Sequence, residues 1–414
     1  MAMCDHDSRP GPKPRPPLCE KDIEGLKYFK LIQGLLGSLH AHKACANRKL
    51  HYDQLASLVI LHFFNPTLGS LRAMQQASGL RKVQKQLGVK RASLGSLSEA
   101  SRVFDPALLR GVAEELGAQV AEVDASDRPP GWPEDLSVVA VDGTLLDALP
   151  RMTWALWQNE ENRAAKLHLE FDILRAAPRA LAVTDANANE RHALRDALQP
   201  GRLYVLDAGY GEYKLFEEIR QAGSSLVARL HDNAAYETLE EREPTEADRR
   251  ADVVFDRVVR LGSKAKRDDI PTPVRVVLVH AQSPPERGLA RRKSRVSSKK
   301  TFRHRPQEYD ILLVTDQMDL PAETIALMYR NRWAIELFFR WLKCVLRFQH
   351  LVFESRQGLE IMVYCALIAS LLISLWTGRK PTKRTLEMVQ LYFQGWAELD
   401  ELEAHIASLK PIAN

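Results

Sequence analysis

Residues 137 to 230 constrain the fold most. Four short runs there, "SVVAVDGT", "ALAVTD", "RLYVLDAGYG" and "SLVARL", are apolar with little alternation. A strand apolar on both sides must be covered on both sides, as strands layered between helices are. "KLHLEFDIL" (166–174) alternates instead, as a half-buried strand does. "NERHALRDAL" and "EYKLFEEIRQAG" read as helices between these runs, the second stopped by Gly223. Strands alternating with helices of this length predict an α/β layer.

The flanks differ. Residues 1–20 hold five prolines between Pro10 and Pro17 and no apolar run. This predicts a disordered basic tail and no signal peptide. Residues 21–128 read as helical, with Arg72, Arg81, Lys82, Lys85, Lys90 and Arg91 on short segments that suit a DNA groove or a solvated surface. The proline-rich "RPPGWPEDLS" marks the boundary near residue 129. From 231 to 320 the helices stop, and "DVVFDRVVRLG", "PVRVVLVHA" and "EYDILLVTD" predict a β-rich insertion. It contains nine Lys or Arg from Arg287 to Arg305, a run expected to form a mobile loop that meets DNA transiently. Residues 356–414 read as a C-terminal helical region. Its 16-residue apolar run "IMVYCALIASLLISLW" is short for a membrane span, so a buried helix and no membrane partner are expected. Trp396, Leu399, Leu402, Ile406 and Leu409 recur at helical spacing, for a dimer seam or for packing within the chain. Five scattered cysteines without a CxxC pair predict a reducing, cytoplasmic setting and no zinc site. The formal charge of +5 points only weakly to nucleic acid.

Two carboxylates stand at the ends of buried runs, Asp142 and Asp207. Ligands of α/β sheets bind at such carboxyl ends. Asp147, Asp185 and Asp316 are rivals, since a strand-ending Asp is commonly a cap or turn residue. A third carboxylate sits in "YRNRWAIELFFRWLK" (Tyr329–Lys343). Taken as one helix at about 100° per residue, Tyr329, Arg332, Glu336, Arg340, Lys343 and Arg347 share a face. Ile335, Phe338, Phe339, Trp341 and Leu342 fill the others, which predicts a buried helix with a polar stripe. A cationic row suits a polyanion, and a carboxylate within it suits a metal ion. Ion pairing of Glu336 with Arg332, Arg340 or Lys343 is the plainer reading.

With these motifs the chain resembles bacterial insertion-sequence transposases of the DDE superfamily, in the insertion-sequence-four group. The resemblance rests on "VDGTLL" with Asp142, "LDAGYGEY" with Asp207, and a Y-(2)-R-(3)-E-(6)-K signature met by Tyr329, Arg332, Glu336 and Lys343. It covers roughly residues 130–355. It implies an α/β RNase H-like fold, a mixed sheet flanked by helices. A β-rich insertion would precede the last catalytic helix, within a catalytic domain at 129–355. Asp142 would lie on the first strand, Asp207 after the fourth and Glu336 on the later helix. These three would be catalytic and hold Mg2+, two ions per site, with Mn2+ able to substitute. Tyr329, Arg332 and Lys343 would contact DNA phosphates, with Arg340 and Arg347 continuing the row. Trp333 would stand near a flipped base, and Arg229 matches a basic position after the fifth strand. The implied function is cut-and-paste transposition: cleavage at the terminal inverted repeats of an element, then strand transfer to target double-stranded DNA. The implied assembly is a homodimer in the synaptic complex, on nucleoid DNA. An RNase H-like nuclease without strand joining and an inactive DNA-binding regulator are the alternatives. No tryptophan lies between residues 231 and 328. A hairpin step that uses one there would need Tyr236, Phe302 or Tyr309 instead.

Overall fold

In a computed structural model of the chain, the apolar runs form the centre of one mixed sheet. The structure describes residues 50–65, 67–120, 131–147, 152–157, 159–263, 269–282, 308–346, 351–378 and 382–409, with 36, 39, 40 and 128. The expected basic tail, the Arg287–Arg305 run, Phe302 and Arg347 lie outside the described residues. The strands are β1 (Ser137–Asp147), β2 (Leu156–Trp157), β3 (Asn159–Asp172), β4 (Ala177–Asp185), β5 (Arg202–Leu206), β6 (Ser225–Arg229), β7 (Tyr236–Arg242), β8 (Val253–Leu261), β9 (Val274–Gln282) and β10 (Glu308–Thr315). Their order is β2-β3-β1-β5-β6-β10-β9-β8-β7, with β4 also paired to β3. β1, β5 and β6 run parallel, and β3 runs antiparallel to both β1 and β4.

β5 shows why its run is continuously apolar. Leu203 and Val205 enter one core, and Tyr204 and Leu206 enter a second on the opposite face. The second core is closed by α6 (Glu190–Ala197) and α7 (Tyr213–Gln221), through Leu194, Leu215, Phe216 and Ile219. The first is closed by helices from both ends of the chain. From the N-terminal side come α1 (Tyr52–Phe64), α2 (Leu71–Ser78), α3 (Arg81–Leu87), α4 (Leu94–Val103) and α5 (Ala107–Gln119). These five helices share one core with the sheet.

The stretch from 231 to 320 is β-rich, and its strands continue the sheet, with β10 antiparallel to β6. It departs from the expectation in one way. A short helix, α8 (Glu246–Arg250), lies within it, closed by a Thr245–Asp248 capping box. Two boundaries near the carboxylates move as well. β1 does not stop at Asp142 but runs to Asp147, paired with β3 throughout, while its pairing with β5 ends at Ala140. The helix expected over Tyr329–Lys343 is two helices, α9 (Ala322–Asn331) and α10 (Trp333–Leu346), joined at Arg332. The joint is a tight turn with i to i+3 hydrogen bonds, Arg332 N to Tyr329 O and Ile335 N to Arg332 O.

α10 buries Ile335, Phe338, Phe339, Trp341 and Leu342 as expected, with Phe338 against Phe171 of β3. It is not buried all round. Trp333 is 51 % exposed and Leu337 49 %, beside exposed Arg340 and Lys343. The apolar run becomes α11 (Arg356–Thr377), 22 residues with mean hydropathy 2.1 over its most apolar window. It is long and apolar enough to cross a membrane, yet 89 % of that window is buried inside the protein, against α1, α5 and β4. Helices α12 (Lys383–Phe393) and α13 (Leu399–Ala407) are the last elements among the described residues. Leu402 packs inside, while Trp396 in the turn between them is 80 % exposed.

Candidate active site

The sheet register brings the two aspartates together. Ala140 and Val205 are partners across β1 and β5, so Asp142 and Asp207, each two residues further on, stand side by side on the same face. Leu206 pairs with Ala228, which sets Arg229 beside Asp207 in turn. Three neighbouring parallel strands thus present an Asp142–Asp207–Arg229 row where the β1–β5 pairing opens. Each aspartate is oriented by a main-chain donor. Gly143 N donates to Asp142 Oδ1 at 2.7 Å, and Gly209 N donates to Asp207 Oδ1 at 2.8 Å. The second bond caps the single turn Ala208–Tyr210.

The α9–α10 joint supplies the rest. Arg332 Nη2 donates to Glu336 Oε1 at 2.9 Å, and Arg332 Nη1 lies 3.5 Å from Asp142 Oδ2. The Arg332 side chain is 13 % exposed and its guanidinium stands 5.7 Å from the centre of the Tyr329 ring. The plainer reading of Glu336 is therefore present too: it pairs with Arg332 at i,i+4 spacing. Burial pushes the Asp142 carboxyl up to about 6, against the opposing pull of Arg332, and repulsion from Asp207 and Glu336 adds to the rise. The neighbouring carboxylates and Tyr329 hold the Arg332 guanidinium above its ordinary value despite its burial.

The rival aspartates serve the backbone. Asp316 accepts from Leu226 N at 2.9 Å, and Asp185 accepts from Asn187 N at 2.9 Å in a turn. The Asp147 side chain lies outside the described residues. Trp333, Arg340 and Lys343 are exposed on α10. Arg229 is near enough to Tyr329 to influence its hydroxyl, and also lies 3.8 Å from Asp232.

Sequence reasoning missed the pair behind Asp142. A Cβ on Gly143 would lie 2.9 Å from Glu190 Oε1, so a larger residue there would have to displace the Glu190 side chain. Lys166 Nζ, 3.3 Å from Glu190 Oε1, also donates to Ala188 O at 3.0 Å. The available signal was Lys166 itself, a cation inside the strand "AAKLHLEFDI".

The donor set is oxygen only and anionic, which suits a hard divalent cation. Among the described residues, no three acidic, His or Cys side chains are arranged to grip an ion together. Asp142 and Glu336 instead share the Arg332 guanidinium.

Residues 133–372 match the model of the transposase DDE domain. The chain belongs to this family. Among curated relatives, it is 27% identical over 263 residues to a putative transposase of Sinorhizobium fredii, y4zB. It is 34% identical over 106 residues to a probable transposase for insertion sequence element IS5377 of Geobacillus stearothermophilus. These matches cover 63% and 24% of the DDE chain, and span 66% and 28% of the relatives' own lengths. Of solved structures, the cryo-EM structure of the piggyBac transposase synaptic complex with hairpin DNA aligns over 95% of this chain and 83% of its own, at 10% identity and a TM-score of 0.37.

Proposed function

We propose that this chain is an insertion-sequence transposase of the insertion-sequence-four group. In this reading it cuts DNA at the terminal inverted repeats of an element and transfers the freed strands to target DNA. The observation that carries the reading is that Asp142 on β1, Asp207 after β5 and Glu336 on α10 all lie near Arg332, which contacts Asp142 and Glu336. The order β4-β3-β1-β5-β6 supports an RNase H-like core, and the Tyr329, Arg332, Glu336, Lys343 spacing supports the group.

Asp142, Asp207 and Glu336 would hold two divalent cations, Mg2+ or Mn2+. Such ions, when bound, activate water and stabilise the leaving oxygen of a phosphodiester. The chain's own groups do the positioning. The Gly143 and Gly209 N–H groups each hold one carboxylate oxygen, Oδ1 of Asp142 and of Asp207, and so orient the other. Arg332 and Arg229 offer positive charge to the scissile strand, and Tyr329 backs Arg332. Lys343 and Arg340 extend that charge along α10 to neighbouring phosphates, and the exposed Trp333 offers a ring face to an unstacked base. The exposed cations Arg72, Arg81, Lys82, Lys85, Lys90 and Arg91 suit the terminal repeat, with two copies of the chain meeting at synapsis. The setting is the bacterial cytoplasm.

The test uses the full chain and a duplex bearing the inverted repeats that flank its gene. Asp142→Asn, Asp207→Asn and Glu336→Gln each keep shape and remove one charged ligand. Each is expected to abolish divalent-dependent cleavage while duplex binding survives. Full cleavage by any one of them removes that residue from the trio. Cleavage by the native chain without joining of a 3′-hydroxyl donor would make it a nuclease.

A further inference from the structure

We propose that Arg332 couples DNA binding to cation binding: its guanidinium holds Asp142 and Glu336 until a DNA phosphate draws it away, so the two ligands bind cooperatively. This rests on the reading of Asp142, Asp207 and Glu336 as the cation-holding carboxylates.

Three features of Arg332 point there. First, it contacts oxygens that a cation would use, Glu336 Oε1 at 2.9 Å and Asp142 Oδ2 at 3.5 Å. A guanidinium and a divalent ion compete for those oxygens, because their like charges repel at such distances. Second, the hold is uneven. The 2.9 Å contact is a sound hydrogen bond, whereas 3.5 Å lies beyond the usual N–H···O range. Asp142 is therefore released at small cost. Third, Arg332 Nε is buried and has no hydrogen-bond partner among the described residues. A buried N–H without a partner is costly. It leaves part of the donor fork turned to an acceptor that the described protein residues do not provide. A phosphate offers several anionic oxygens and takes an arginine fork in bidentate fashion. The tight turn at the α9–α10 joint keeps Arg332 between Tyr329 and Glu336 in either role. Without DNA the guanidinium competes with the cation. With DNA it binds phosphate, and the carboxylates are left to the cation. By linkage the cation must strengthen DNA binding by the same factor.

A purely structural Arg332, one that organises the carboxylates, predicts the opposite sign. Removing it would then weaken cation binding. Mn2+ titrations of the full chain separate the two, read by calorimetry and by the spin-resonance signal of free Mn2+. They are run alone and with a duplex ending at the flanking inverted repeat, its 3′ end dideoxy so that no joining follows. Without DNA, Arg332→Met is expected to bind Mn2+ at least about fivefold tighter than the native chain, the low end of ordinary coupling factors. Saturating duplex is expected to raise Mn2+ affinity more in the native chain than in Arg332→Met. Equal or weaker binding by Arg332→Met overturns the proposal. Circular dichroism monitors folding. If Arg332→Met does not fold, Arg332→Lys carries the test. Its single ammonium reaches one carboxylate, so tighter binding than native is expected, and native affinity overturns the coupling. Asp142→Asn keeps the two readings apart. If it binds Mn2+ like the native chain, the cation reading itself fails. If it loses Mn2+ while Arg332→Met is unchanged, only the coupling fails.

Discussion

The buried Arg275–Asp256 pair offers the sharpest test of how β8 and β9 support the site. Arg275 on β9 makes a two-pronged contact with Asp256 on β8, Nε to Oδ1 at 2.8 Å and Nη2 to Oδ2 at 2.6 Å. Their side chains are 4% and 7% exposed. Arg275 Nη1 also donates to the carbonyls of Gln317, Met318 and Leu320, in the turn that leads to α9 and its Tyr329. Asp256→Ala removes two charge-assisted bonds, each worth about 1.5–3 kcal/mol, and strands a buried cation. Breaking such a pair costs about 3–5 kcal/mol. The three carbonyls stay with Arg275, so the lower half of that range is expected, about 3–4 kcal/mol. Replacing both partners by apolar residues, Asp256→Leu with Arg275→Met, strands no charge but removes the donor to the Gln317, Met318 and Leu320 carbonyls, and is expected to cost about 1–3 kcal/mol, less than the single change. Hydrogen exchange read by mass spectrometry is the assay, because it reports local opening of β8, β9 and residues 317–320 separately from the rest of a large chain. The guanidinium midpoint gives the global change. If Asp256→Ala costs under about 1 kcal/mol, or the double change costs as much as the single, the uncompensated-charge reasoning is refuted.

Three further outcomes follow from the site. Gly143→Ala is expected to overpack against Glu190 and cost about 1–3 kcal/mol, with loss of cleavage, and Glu190→Ala in the same chain should recover much of the stability. An unfolding midpoint that Glu190→Ala leaves unrepaired shows that the contact is not the cause. Burial, aided by Lys166, lowers His168 from an ordinary 6.5 to about 4. Its neutral form is therefore favoured by folding: the contribution is present above about 6.5 and is lost as pH falls toward 4, about 3 kcal/mol in all. His168→Gln should flatten the fall in stability over that window relative to the native chain, and parallel curves would refute the assignment. Lys343→Ala and Arg332→Ala should each lower the log–log salt slope of duplex binding by about 0.9 without altering sequence preference. Unchanged slopes in both would show that neither side chain meets a phosphate.

What the sequence determined by itself was local in origin. Continuous apolar runs meant strands covered on both faces, and the two cores meeting on β5 bear that out. The buried side of α10, from Ile335 to Leu342, followed from a 3.6-residue period. Asp142 and Asp207 stood out because each follows a buried run, and the register of β1 with β5 does set them side by side. The remainder depended on groups far apart in the chain. No local pattern shows that β1 continues past Asp142, because the continuation is held by β3 alone. The wheel drawn through Tyr329 and Lys343 assumed an unbroken helix, and the turn at Arg332 breaks it where Arg332 meets Asp142, 190 residues earlier. Period alone could not show that Trp333 and Leu337 would remain exposed, since exposure depends on what packs against α10. Gly143 carries no pattern of its own, and its closeness to Glu190, which pairs with Lys166, appears only in the folded chain. Periodicity encodes the face of an element, whereas pairing, the joint between helices and the choice of a charged partner are settled by which distant surfaces bury one another.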